Sequence, residues 1–190
     1  MRLKRILPAL LMTGTVMLTL MGCTSLSSFT TPKNSNTPVI ETVDHTANPS
    51  DDCLVVYGKT VSVLNNVDST LATLGEPEST FAYKCDKRYS YKLAGVEYET
   101  YKIKKTECPL CFFIDKEGVE TFKGIGIGDS REDVLNTYGM PGEQDQDKLI
   151  SFPNSTTYTL DKCTHTFQFD DNDKVILICV ESSLTRSMMP

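Results

Sequence analysis

The chain has 190 residues, a formal net charge of −6 and a pI of about 5.0, with seven cysteines, no tryptophan and two histidines. An acidic chain without a basic cluster is a poor nucleic-acid ligand, because phosphate neutralisation supplies most of that affinity. Two histidines without a local nucleophile–base–orienter signature point away from a hydrolytic triad, and no catalytic residue, metal or cofactor is expected.

Met1 to Arg5 is basic and Ile6 to Leu20 is an apolar run too short for a stable transmembrane helix. It ends in Leu20-Met-Gly-Cys23, which resembles the lipobox of bacterial lipoproteins. The resemblance implies a signal peptide over 1–22, cleavage after Gly22 and a diacylglyceryl thioether on Cys23. The expected location is the extracytoplasmic face of the cell membrane, held by two acyl chains, the number stable anchoring needs. Losing the three basic residues of the leader takes the formal charge from −6 to −9. Residues 23–50 carry the lipidated Cys23 and then Thr, Ser, Pro and Asn with few large apolar residues. Such a stretch buries too little surface to order itself and reads as a disordered tether, spanning about 30 Å as a flexible coil.

Residues 51–120 and 121–190 read as two copies of one plan, a short helix followed by an antiparallel sheet of about four strands, in an α+β fold. Leu54 to Val63 is a hairpin turning near Gly58. Asn66 then caps a helix that Gly75 and Pro77 stop. Runs rich in Tyr, Phe, Val, Ile and Thr follow at 80–85, 88–93, 96–103 and 111–114. Gly124-Ile-Gly-Ile-Gly128 lacks the spacing of a dinucleotide fingerprint and the Lys of a P-loop, and reads as a strand-to-helix turn. Ser130 and Asp133 form a capping box for the second helix, which ends at Gly139 and Pro141. Strands are expected at 149–152, 156–160, 163–169 and 174–180, with Asp170-Asp-Asn-Asp173 as a solvated turn.

The stretch Ile127-Gly-Asp-Ser-Arg-Glu-Asp-Val-Leu with Tyr138-Gly-Met-Pro141 is similar to the repeat of β-lactamase-inhibitor-protein-like proteins and SmpA/BamE-type lipoproteins. The first copy, Asn65-Asn-Val-Asp-Ser-Thr-Leu with Leu74-Gly-Glu-Pro77, departs from it at the start of the helix. The chain looks most like small Gram-positive lipoproteins that carry this unit twice. The resemblance covers about residues 54–181 and implies a non-catalytic module that binds protein or the cell envelope, through the open face of the sheet in the inhibitors.

The rival reading rests on Cys108-Pro-Leu-Cys111. A Cys-x-x-Cys pair either sits in structural disulfides or runs thiol–disulfide exchange, which would make this an extracytoplasmic redox protein. Beyond Cys23 there are six cysteines, and an exported chain favours bridges among them. Cys163 begins one strand of the last hairpin and Cys179 ends its neighbour, so a Cys163–Cys179 bridge is expected. Cys85 would pair with Cys108 or Cys111, leaving Cys53 the remaining cysteine.

Five of the eight tyrosines, Tyr83, Tyr89, Tyr91, Tyr98 and Tyr101, fall within one stretch of the first unit. In a regular strand Tyr89 and Tyr91 share a face, whereas Tyr98 and Tyr101 point to opposite faces. A subset is expected to line a partner-binding surface, with Glu97, Glu99, Lys92 and Lys102 as its charged rim.

Overall fold

The structure, a computed structural model, describes residues 46, 49–142 and 152–190. The expected signal peptide, Cys23, nearly all of the tether, His45 and the strand expected from 149 (save Phe152) lie outside the described residues.

A hairpin of β1 (Cys53–Val56) and β2 (Lys59–Ser62) opens the domain. Its two-residue turn has positive φ at both Tyr57 (47°) and Gly58 (78°), the combination whose twist matches that of the flanking strands. Helix α1 (Val67–Leu74) begins where the Asn66 side chain accepts from the Ser69 amide at 2.9 Å. Helix α2 (Arg131–Tyr138) has a full capping box. Ser130 Oγ accepts from the Asp133 amide at 3.1 Å, and Asp133 Oδ2 accepts from the Ser130 amide at 2.9 Å. Both helices stop at a glycine with positive φ and extended ψ, at 90° and −163° for Gly75 and 82° and −170° for Gly139. That region is essentially closed to a residue bearing a Cβ, so each chain leaves its helix extended.

The remaining strands are β3 (Ser79–Tyr83), β4 (Asp86–Tyr91), β5 (Val96–Ile103), β6 (Thr106–Ile114), β7 (Val119–Thr121), β8 (Ser155–Thr159), β9 (Cys163–Phe169) and β10 (Val175–Ser182). A short helix α3 (Ser183–Ser187) follows. Seven strands form one antiparallel sheet in the order β3-β4-β5-β6-β10-β9-β8, and β2-β1-β7 form a second sheet of three.

The α+β class holds, but the expected tandem units of a helix and about four strands do not. Among the described residues, five strands follow α1, four of them in the large sheet and β7 in the small one, and three follow α2; the pairing of β6 with β10 merges the two sets into one large sheet. Joining the halves at β6 and β10, each the last large-sheet strand of its own half, removes two edges that separate sheets would have left unpaired.

One face of the large sheet carries the core. Tyr98, Phe112, Ile114, Phe167, Ile178 and Val180 pack with Leu54 and Val61 of the small sheet and with Val67 and Val134 of the two long helices. The rings of Tyr89, Tyr98 and Phe112 stack across three strands at centroid distances of 5.9 and 4.6 Å. Burying each large apolar side chain contributes roughly 1.5–3 kcal/mol, which is why this face fixes the strand register.

Candidate functional site

The other face of the large sheet is less covered, and its chemistry reads along the ladder. Phe81 lies opposite Arg88, Arg88 opposite Glu99, Glu99 opposite Cys111, and Cys111 opposite Glu181. Residues directly opposite share a face, so these five form a row across five strands. Arg88 is the hub. Its Nε donates to Glu99 Oε1 at 2.6 Å, its Nη2 reaches the same carboxylate, and its Nη1 lies 3.2 Å from Glu97 Oε2.

Arg88 also divides two shallow depressions. One of about 390 Å³ is walled by Phe81, Tyr83 and Met189. The other, of about 360 Å³, is walled by Phe113, Phe152 and Leu177. All five residues of β3, an edge strand, are exposed, with Phe81 at 66% and Tyr83 at 56%. The Lys84 ammonium lies 5.0 Å from the Tyr83 ring centre, a cation–π contact at the rim.

The five tyrosines separate by face. Tyr83 is exposed, and Tyr101 is half-buried against the cluster of Leu110, Cys111 and Cys179. Tyr89, Tyr91 and Tyr98 are core residues and present no contact surface, contrary to their selection as candidates. Tyr89 donates to Glu107 at 2.8 Å and Tyr91 to the Gly75 carbonyl at 3.0 Å, and burial pushes the Tyr91 phenol up to about 12. Phe81 and Arg88 line the first depression but are not among the residues that the sequence singles out. The alternation Phe81-x-Tyr83 carried the signal for Phe81, since it places both on one face.

The six cysteines of the domain are all thiols in the structure. The expected Cys163–Cys179 bridge does not fit the fold. Cys163 lies opposite Ser182 and Cys179 opposite Thr166. Cys163 packs in the core cluster and Cys179 in the cluster of the outer face, so a bond would have to pass through the sheet. Cys85 is exposed, whereas Cys53 is buried and its thiol lies 3.7 Å from Asp52 Oδ2.

Cys108 and Cys111 lie within β6, not at a helix N-terminus. Burial raises the Cys108 thiol, and Cys179 together with burial raises Cys111 well above the ordinary range. An exchange cysteine requires the reverse, an exposed thiol of lowered pKa.

His165 is as the alternation predicts, on the face of Cys163, Phe167 and Phe169. Its Nε2 lies 2.6 Å from the Asp51 carbonyl and so carries the proton, while Nδ1 accepts from the Tyr138 hydroxyl at 3.2 Å. Both nitrogens are thus engaged in holding the fold. Gly126, within the glycine-rich turn, passes so close to the Val119 carbonyl that a Cβ there would lie 3.2 Å from its oxygen. Asp170 closes the β9–β10 turn by accepting from the Asn172 and Lys174 amides at 2.9 and 2.8 Å, and the Lys174 amide is the main cause of its lowered pKa.

No protein-family model matches the chain, and no curated protein matches it. Its structure is similar to that of a DUF4309 family protein from Bacillus subtilis, at 13% identity and a TM-score of 0.39, covering 68% of this chain and 94% of that one. It is also similar to an extracellular protein containing an SCP domain from Bacillus anthracis (11%, TM-score 0.37, 84% of this chain and 52% of that one). A third is a cysteine-rich secretory protein from Staphylococcus aureus (11%, TM-score 0.35, 62% and 44%). The chain spans about half the length of the latter two. At these identities and TM-scores the likenesses assign neither a family nor a function. None of the three is described as an inhibitor-type, BamE-type or lipid-anchored protein.

Proposed function

We propose that this is a lipid-anchored, extracytoplasmic, non-catalytic module that binds another protein through the outer face of its seven-stranded sheet. The observation that carries the reading is the exposed aromatic pair Phe81 and Tyr83 on edge strand β3, beside the Arg88 depression. Large rings next to an arginine supply the apolar area and directional polar contacts that dominate protein-binding hot spots. The anchor rests on the lipobox-like Leu20-Met-Gly-Cys23. The sheet-face mode accords with the repeat resemblance of Ile127 to Pro141. The thiol-exchange reading gains nothing from Cys108 and Cys111, which are buried with raised pKa values.

The test is a crosslinked pull-down from native membranes with the full chain and with Phe81→Ala, Tyr83→Ala and Cys23→Ala. Each ring deletion should lower recovery of the same partner about tenfold or more, as at a hot spot, without lowering the melting temperature. Cys23→Ala should release the protein into the medium. Full recovery by both ring variants would overturn the binding face, and a Cys23→Ala protein that stays on the membrane would overturn the anchor.

A further inference from the structure

Two thiols of the outer face meet where the halves of the sheet join. Along the β6–β10 ladder Cys111 lies opposite Glu181, and Cys179 lies opposite Phe113. The two cysteines are therefore diagonal neighbours on one face, a separation that the twist of paired strands shortens along one diagonal. Both are buried and both belong to the cluster with Leu110, and the Cys179 thiol is the first cause of the raised Cys111 pKa. The other cysteines are placed worse. Cys163 is on the core face and Cys85 lies in the exposed turn between β3 and β4. Cys108 shares the outer face but lies on the same strand as Cys111, beyond a bulge.

We propose that Cys111 and Cys179 form a disulfide in the exported protein, covalently joining the two halves across the central strand pair. The in-cell oxidation rests on the extracytoplasmic reading above, whereas the pairing rests on the fold alone. The oxidant is a disulfide, either of a small thiol or of an oxidoreductase. One cysteine, as thiolate, attacks the donor disulfide and releases one thiol, leaving a mixed disulfide. The second cysteine loses its proton to water and attacks the protein sulfur of that mixed disulfide, releasing the second thiol. Two protein thiols and one donor disulfide thus become one protein disulfide and two thiols. The burial that raises Cys111 also shields it, so the exchange belongs to the stage before the outer cluster closes.

The experiment refolds the reduced full chain in a mixture of oxidised and reduced glutathione, alkylates free thiols and maps tryptic peptides without reduction. Peptide 106–116 should be linked to peptide 175–186, and the linked mass should vanish on reduction. Because 106–116 holds both Cys108 and Cys111, the mapping is repeated in Cys108→Ser, which should keep the link. In Cys179→Ser, Cys111 should become fully alkylated. The proposal is overturned if Cys111 and Cys179 are both alkylated in the refolded wild type. It is also overturned if the link is lost in Cys108→Ser, or if Cys179 is found bonded to Cys163. Refolding in glutathione is independent of export, so a failed anchor leaves this result standing, and the converse holds.

Discussion

His165 shows how much one buried side chain governs. Its ring lies among Tyr138 and Phe167, with neutral hydrogen-bond partners on both nitrogens. Burial is the largest cause that lowers its pKa, to about 4 from 6.5. Between those values the unfolded chain takes up a proton that the folded chain refuses. The stabilisation is therefore complete above about pH 6.5 and is lost as pH falls toward 4, by about 3 kcal/mol in all. Urea midpoints of wild type and His165→Gln should diverge most at neutral pH and converge on acidification. Parallel curves from pH 7 to 4.5 would remove His165 as the cause. At this scale the sequence was legible where strict alternation held, as for His165, Phe167 and Phe169. It failed where alternation broke. Cys108 and Cys111 are three apart, which in a regular strand means opposite faces. Yet they pair with Tyr101 and Glu99, two apart on β5, so the bulge between Glu99 and Thr100 returns both to one face. A bulge leaves no mark in residue spacing, and neither does the register that separates Cys163 from Cys179.

The elements best read from sequence are the two long helices, because their ends are written in side chains that act locally. Asn66, Ser130, Asp133, Gly75 and Gly139 all do what their chemistry requires within four residues of chain. Removing the hydroxyl in Ser130→Ala leaves the Asp133 amide without its cap and should cost about 1 kcal/mol. Gly139→Ala meets no neighbouring atom, so any loss there is backbone strain alone, on the order of 1–3 kcal/mol. Urea denaturation measures both. If Gly139→Ala were neutral, positive φ at that position would not matter to the fold. The elements that escaped reading are those fixed from a distance. Strand β7 has three residues, too few for a period, and exists because Leu54 and Val56 of β1 pair with Thr121 and Val119. Strand β6 runs from Thr106 through Pro109, earlier than its apolar run alone indicates. The third helix is a five-residue turn capped by Ser182, whose buried Thr185 anchors it.

On the scale of the whole molecule, the two capped helices and the strand-rich runs are visible in the sequence, but the joining of those runs into one seven-stranded sheet is not. Each half supplies one strand to the β6–β10 seam, and the seam buries Phe112 and Ile114 from one half with Ile178 and Val180 from the other. Neither half keeps that surface dry alone. The small sheet adds a second tie, since β1 near the start of the domain pairs with β7 at the junction between the halves. The domain should therefore unfold as one cooperative unit, as single domains of this size commonly do. Fragments 51–120 and 121–190 should each lack near-ultraviolet circular dichroism and a cooperative melt, and should regain both when mixed. Phe112→Ala tests the same seam in the intact chain. It deletes a fully buried ring stacked on Tyr98 and should cost about 3–5 kcal/mol. Because the seam is shared, amide exchange should accelerate in β9 and β10 as much as in β4 and β5. Loss of protection confined to β4–β6, or a cooperative melt from either fragment alone, would show two independent units and overturn the single-sheet account of stability.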